Sequence, residues 1–270
     1  MRLHSIIAMV VSLALPQCSD SEGKKRNEGG GDETNVGAPC VPYSEMNPEF
    51  SGYKVTEESI LTGMPACGSS GVCLVNHFQG RVTCPLGQPA PKPCSGPQDA
   101  SCGVDSQCVA AVTLALSCVT SLDCPDGAFC DGETLKCTNY VCHTGACQIP
   151  GVFENVNSGK ACCVPGTTSP VTAPVCGQCS DQGSRSAQGA VYCSCRCGVA
   201  EGEPDDPTYD FCKCPAGFEC REIRKNFGLG DPDLTGKYCI RQGSEFTGEK
   251  SCGQVKGYFD SSQCEGISFN

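Results

Sequence analysis

Cysteine occupies one position in ten of this chain, 27 of 270 residues, and that density constrains the fold more than any other feature. In a reducing cytosol so many thiols would be reactive or metal-seeking, whereas in an oxidising compartment they become cross-links. The hydrophobic fraction of 39% conceals a shortage of core-forming side chains, because about a quarter of it is cysteine. There is no Trp, and aromatics make up 6%. The 33 glycines and 19 prolines point to many turns and little regular structure. A disulfide typically contributes about 2–4 kcal/mol by restricting the unfolded chain, so a dozen of them outweigh a modest apolar core. The expected fold is a small disulfide-rich protein. Short β-hairpins and loops form two or three modules, with little helix beyond a signal peptide and a short run near residues 106–117.

The net charge of −11, with pI near 4.7, speaks against nucleic acid as a partner, since that needs a basic face to displace counterions. No Asn-x-Ser/Thr glycosylation sequon occurs, which suits a bacterial exported chain.

The N-terminus reads as an export signal. Ser5–Leu15 is an apolar run of eleven behind Arg2, too short to span a bilayer, which takes about 20 residues. Leu15-Pro16-Gln17-Cys18 resembles a bacterial lipobox. That resemblance makes residues 1–17 the signal peptide and Cys18 the lipid attachment site, acylated through sulfur. Cleavage after Ser12-Leu13-Ala14, giving a secreted chain, is the rival reading. Lipidation of Cys18 leaves 26 cysteines, enough for thirteen pairs. Residues 18–38 form a polar, Gly-rich tether, which lifts a domain roughly 25 Å off a surface.

Beyond the tether the cysteines fall into modules. Residues 39–88 carry Cys40, Cys67, Cys73 and Cys84. Val72–Phe78 and Arg81–Cys84 predict a hairpin around Gln79-Gly80. Residues 89–99 are a Pro-rich linker with Cys94. Residues 100–150 hold Cys102, Cys108, Cys118, Cys124, Cys130, Cys137, Cys142 and Cys147, with two Cys-x5-Cys units that suggest a weak internal repeat. Asp105 is placed to cap a short helix through Val109–Leu116. Residues 161–246 hold Cys162, Cys163, Cys176, Cys179, Cys193, Cys195, Cys197, Cys212, Cys214, Cys220 and Cys239. Cys193, Cys195 and Cys197 alternate on one predicted strand, and Cys212 and Cys214 on a second that folds back after Gly198–Thr208. Cysteines two apart on a strand sit near the upper limit for a disulfide, so each should pair elsewhere. Residues 247–270 keep Cys252 and Cys264, expected as one closing bridge.

Three resemblances follow from these motifs. SCVTSLDCPDGAFCDGETLKC, residues 117–137, resembles the cysteine-rich repeat of Dickkopf N-terminal regions, which implies a small knotted module and no shared signalling role. Cys212-x-Cys214-Pro-x-Gly-Phe-x-Cys220 resembles the C-terminal half of an EGF-like module. CLVNHFQGRVTCP (Cys73–Pro85), VYCSCRC (Val191–Cys197), CKCPAGFEC (Cys212–Cys220) and GKYCIRQGSEF (Gly236–Phe246) resemble uncharacterised cysteine-rich lipoproteins of myxobacteria and relatives. This resemblance implies export, a surface location and an inserted second module; it brings no activity.

No residue set points to catalysis. Cys176-Gly-Gln-Cys179 offers zinc ligands or a redox pair, but export favours oxidation, and no strand–helix unit surrounds it. Glu201, Glu203, Asp205, Asp206 and Asp210 are oxygen donors in one acidic loop, at a spacing that matches no EF-hand. His77 and His143 lie in no His-Glu-x-x-His motif. Cys142 is adjacent to His143 in sequence only, and Cys162-Cys163 is expected to form two bridges to separate partners. No metal, cofactor or catalytic residue is therefore expected. The expected function is that of a cell-envelope lipoprotein, outer-membrane anchored through its N-terminal lipid. It would present stapled modules for binding, adhesion or structure, with an unknown protein or polysaccharide ligand. An envelope thiol–disulfide protein using Cys176 and Cys179 is the alternative, and a secreted protease inhibitor the third.

Overall fold

The computed structural model describes residues 35–152, 156–179, 185–204, 207–224 and 234–246. The expected signal segment, Cys18, most of the expected tether, and the tail with Cys252 and Cys264 lie outside them. Ten strands occur among the described residues: β1 Glu58–Leu61, β2 Val72–Asn76, β3 Pro93–Cys94, β4 Gln107–Ser117, β5 Phe129–Asp131, β6 Lys136–His143, β7 Val191–Ser194, β8 Arg196–Gly198, β9 Phe218–Arg224 and β10 Gly236–Arg241. One helical turn, α1 Ala187–Ala190, leads into β7. The expected disulfide-rich fold of short strands is what forms. All three sheets are antiparallel, in the orders β1-β2-β7, β8-β10-β9 and β3-β6-β4, with β5 also on β6.

The run Val72–Asn76 is buried at all five positions, as a strand covered on both faces must be. Cys73 and Val75 face a cluster with Cys40, Cys67, Phe78 and Cys193. Val72 and Leu74 face Ile60, Tyr192, Tyr238 and Ile240. This overturns the predicted hairpin around Gln79-Gly80. β2 pairs with β1 and β7, while Gly80 bridges Tyr53 and Arg81 bridges Cys84. The turn is occupied from outside: a Cβ on Gly80, whose φ is +84°, would lie 2.3 Å from the Cys176 carbonyl. The first and third sequence segments thus share one sheet.

A buried polar clamp fixes the segments that flank this sheet. Glu45 and Arg81 have fully buried side chains, with Arg81 Nε 4.0 Å from Glu45 Oε2. The Glu45 carboxylate accepts from the Val82 amide (2.5 Å), the Thr83 amide (3.1 Å) and the Thr83 hydroxyl (2.7 Å). Arg81 donates to the carbonyls of Glu45, Asn47 and Phe50. Gln178 donates to the carbonyls of Arg81 and Val82, at 2.6 and 3.1 Å. Burial pushes the Glu45 carboxyl above its ordinary value, against the pull of those donors.

A second correction concerns residues 106–117. The expected helix is instead the strand β4, laddered to β6 from Gln107↔His143 to Ser117↔Lys136. An isolated helix of so few residues is marginal in water. Here bridges Cys94–Cys108 and Cys102–Cys142 pin the start of β4 beside the end of β6. Tertiary pairing overrides the local preference of the Ala/Leu run. Cys118–Cys130 and Cys124–Cys137 close the same module. The two Cys-x5-Cys units therefore differ in their bonding.

The third correction is at Cys193–Cys197. The predicted single strand breaks at Cys195. Cys193, on β7 of the first sheet, bonds Cys67 in a 3₁₀ turn, while Cys195 bonds Cys212 and Cys197 on β8 bonds Cys220 on β9. β7 and β8 consequently belong to different sheets, and Cys212 and Cys214 lie in a loop, with Cys214 bonded to Cys239. Cys162 bonds Cys84 and Cys163 bonds Cys147.

Removing one member of a buried ion pair leaves the other uncompensated, at a cost of about 3–5 kcal/mol. Glu45→Ala should lose stability of that order in guanidinium unfolding under non-reducing conditions. An unchanged midpoint would show that the clamp is dispensable.

Candidate binding cleft

A cleft of about 450 Å³ lies where the central module meets the rest of the molecule. Its lining is drawn from distant parts of the chain: Glu49 before β1, Pro93 on β3, Val112 on β4, Asn139, Tyr140 and Val141 on β6, and Thr172 and Ala173. The size falls within the range of small-molecule sites, and the lining mixes Pro93, Val112, Val141 and Ala173 with Glu49, Asn139, Tyr140 and Thr172.

Sheet register places these side chains. Val112 pairs with Asn139, and Val141 pairs with Val109 on one side and Pro93 on the other. The opposite wall is held by Thr172, whose amide and hydroxyl donate to the Pro48 carbonyl at 2.8 and 3.1 Å. Glu49 follows directly, exposed at the rim. Asn139 Oδ1 is buried and has no hydrogen-bond partner among the described residues. A buried acceptor left unpaired costs free energy until a donor reaches it.

Tyr140 is fixed from behind. Its hydroxyl donates to Asp131 Oδ2 at 2.5 Å. Asp131 also accepts from the amides of Glu133 and Thr134. The Tyr140 bond and these donors hold the Asp131 carboxyl down at about 2. Burial, then the adjacent carboxylate, pushes the Tyr140 hydroxyl up to about 12.

The residues weighed for chemistry occupy other settings. His77, at positive φ (49°), donates from Nδ1 to the Val55 carbonyl at 3.0 Å and stacks on Phe246 at 3.9 Å. Burial lowers its pKa. His143 accepts the Gly145 amide at Nδ1 (2.9 Å), and its Nε2 lies 3.6 Å from Cys163 Sγ; burial lowers its pKa as well. Cys142 is spent in its bond to Cys102, so it provides no nucleophile for His143. Cys176 and Cys179 are both disulfide-bonded. Five cysteine trios bring their sulfurs within 4.8 Å, such as Cys40, Cys67 and Cys193. Each trio is the crossing of two disulfides, and a bridged sulfur is no thiolate ligand. Of the acidic loop, Asp205 and Asp206 lie outside the described residues, and the Glu201 amide donates to Glu222 at 2.7 Å.

Comparison with family models, with curated proteins and with solved structures finds no match to this chain in any of the three. No described helix is long and apolar enough to cross a membrane. The cleft is thus read from its own geometry. Its residues carry no motif, since ordinary Val, Asn, Tyr and Thr side chains become a site only when the fold gathers them.

The Tyr140–Asp131 bond has a pH signature. Asp131 is held below its ordinary 3.8, so its contribution to stability is present above pH 3.8 and is lost as pH falls towards 2. Tyr140→Phe removes the largest cause. NMR titration of the Asp131 carboxyl should then show its pKa moving up towards 3.8, and a value still at about 2 would mean that the loop amides alone hold it down.

Proposed function

We propose that this chain is a non-catalytic binding protein of the cell envelope, anchored through Cys18, that takes its ligand in the cleft between the central module and the rest. The extracellular or envelope setting rests on the bridges themselves. With 22 cysteines joined in eleven described pairs, this is a disulfide-stabilised extracellular or envelope protein.

The observation that carries the binding reading is Asn139 Oδ1, a buried acceptor in the wall of the cleft without a partner among the described residues. A ligand that supplies an O–H or N–H donor would satisfy it once the Asn139 side chain turns into the cleft. Glu49 at the rim favours the same chemistry, and the net charge of −11 disfavours anionic ligands. Neutral polysaccharides and extended peptides both offer such donors. Walls locked by disulfides lose little freedom when a ligand docks, which preserves binding free energy.

Titration with neutral oligosaccharides and with short uncharged peptides, followed by amide NMR, tests this reading. Shifts should be confined to Val112, Asn139, Tyr140, Val141 and Thr172. Asn139→Ala should weaken the binding about tenfold, the equivalent of one hydrogen bond. Shifts elsewhere, or an Asn139→Ala variant that binds equally well, would refute the cleft as the site.

Anchoring has its own test in intact mass spectrometry of membrane-purified protein, with and without thiol alkylation. The expected result is an acylated chain starting at Cys18 with no reactive thiol. An unacylated chain starting near Leu15 would refute the anchor, and labelling at Cys176 and Cys179 would favour the thiol–disulfide reading.

A further inference from the structure

β6 ends at His143, and shortly after it Cys147 bonds Cys163. The two sulfurs of this bridge have different surroundings. Cys163 is 5% exposed, and its Sγ lies 3.6 Å from His143 Nε2. Cys147 is partly exposed, and its Sγ lies 3.6 Å from the Thr167 carbonyl at the surface. The far side of the imidazole fixes its tautomer. Nδ1 accepts the Gly145 amide at 2.9 Å, so Nε2 carries the ring proton and faces Cys163 Sγ. Burial lowers the His143 pKa, which keeps the ring in this neutral form. Of the eleven described bridges, this is the one with a sulfur at hydrogen-bond distance from an imidazole. It is also the one described cross-link between the central module and the rest. The module's other four bridges, Cys94–Cys108, Cys102–Cys142, Cys118–Cys130 and Cys124–Cys137, close within it.

We infer that Cys147–Cys163 is a redox-active bridge, opened at Cys147 by an external dithiol with His143 stabilising the departing Cys163 sulfur, and that its opening uncouples the two walls of the cleft. Thiol–disulfide exchange needs an attacked sulfur that can be reached, and it is faster the better the leaving thiolate is stabilised. The two ends of this bridge meet one condition each. A thiolate of the dithiol attacks Cys147 Sγ, the Cys147–Cys163 bond breaks, and its electron pair leaves on Cys163 Sγ. The Nε2–H then donates to a full thiolate, and a hydrogen bond to the charged form favours that form. The second thiolate of the dithiol attacks the sulfur now joined to Cys147 and displaces Cys147 as a thiolate. Cys147 and Cys163 take up the two protons that the dithiol has lost. The bridge has gained two electrons and two protons, and the dithiol departs as a disulfide.

The position of the bridge gives the reaction a structural consequence. Cys147 is held beside Ala161, where the Ala161 amide donates to the Ala146 carbonyl at 3.0 Å and the Gln148 amide to the Ala161 carbonyl at 2.9 Å. Beyond Cys163 the chain turns back, with the Val171 amide on the Cys162 carbonyl at 3.0 Å. Thr172 and Ala173, on one wall of the cleft, follow directly. Asn139, Tyr140 and Val141, on the other wall, belong to the strand that ends at His143. With the bridge open, Cys84–Cys162 still ties the Thr172 segment to the body, while the module that carries β6 loses its described cross-link to it.

Limiting dithiothreitol added to the full mature chain, quenched with N-ethylmaleimide and mapped by peptide mass spectrometry, should label Cys147 and Cys163 before any other pair. His143→Phe should slow that labelling about tenfold, the effect of one lost hydrogen bond to a charged group. His143→Gln keeps an N–H donor and should retain most of the rate. In the selectively reduced and alkylated protein, amide NMR signals of Asn139, Tyr140, Val141, Thr172 and Ala173 should shift while those of β9 stay in place. Both readouts are made without a ligand, so they stand or fall apart from the binding reading. Earlier labelling of any other pair would overturn the inference, as would a His143→Phe variant that reacts as fast as the unaltered chain. Equal slowing in both variants would refute the role of the Nε2–H, and unshifted cleft signals would refute the coupling to the cleft. Should either variant fail to fold, the order of labelling in the unaltered chain decides.

Discussion

Everything in this molecule depends on how facing cysteines are used. In four ladders two cysteines stand directly opposite each other: Cys73 and Cys193, Cys108 and Cys142, Cys130 and Cys137, and Cys220 and Cys239. None of these pairs is bonded internally. Each member reaches instead to a third or fourth segment, namely Cys40 and Cys67, Cys94 on β3 and Cys102, Cys118 and Cys124, and Cys197 on β8 and Cys214. A bond between facing cysteines would duplicate what the ladder already fixes. A bond to a further segment ties more of the chain to each ladder, which a shortage of large apolar side chains would otherwise leave loosely held.

The longest of these links shows the energetic logic. Cys67–Cys193 joins residues 126 apart. Closing a loop of that size restricts the unfolded chain by about 4–5 kcal/mol in the chain-entropy account, and less where other bridges have already shortened it. It also holds β7 against β2, so the first and third segments become one body with the central module emerging between Cys84 and Cys147. The Glu45–Arg81 clamp works differently. It supplies no net attraction comparable to a disulfide, but its donors and acceptors fit one arrangement of the 3₁₀ turn at Tyr43–Met46 against residues 81–83. Disulfides hold the segments near each other, and the clamp chooses their geometry. The cleft inherits its shape from both, because Glu49 and Thr172 on one wall are positioned by this body and Asn139 and Tyr140 on the other by β6.

Local patterns read correctly where their cause was local and wrongly where it was distant. Short strands between glycine and proline turns follow from composition, and they formed. The bonding of Cys162 and Cys163 to separate partners follows from the strain that adjacent cysteines would otherwise bear. Residues 109–116 looked helical because alanine and leucine favour helix, yet β6 and two bridges drew them into a strand. Gln79-Gly80 looked like a hairpin turn because nothing nearby shows that the Cys176 carbonyl lies against Gly80. The cleft left no trace in the sequence, since its walls come from residues more than a hundred positions apart.

The sequence by itself determined an oxidising, non-cytoplasmic setting, the dominance of cross-links over core, and the class of fold. Cysteine density, charge and the paucity of aromatics are properties of the chain that hold in any conformation. Only the tertiary structure decided which cysteine meets which, that residues 107–117 form a strand and not a helix, and that Asn139 and Tyr140 line one cleft with Glu49 and Thr172. Twenty-two cysteines admit an enormous number of pairings, and sequence spacing ranks them poorly because the bonds span from 12 residues at Cys118–Cys130 to 126 at Cys67–Cys193. The choice among them is made by strand register and by side-chain direction, and both exist only once the sheets have formed.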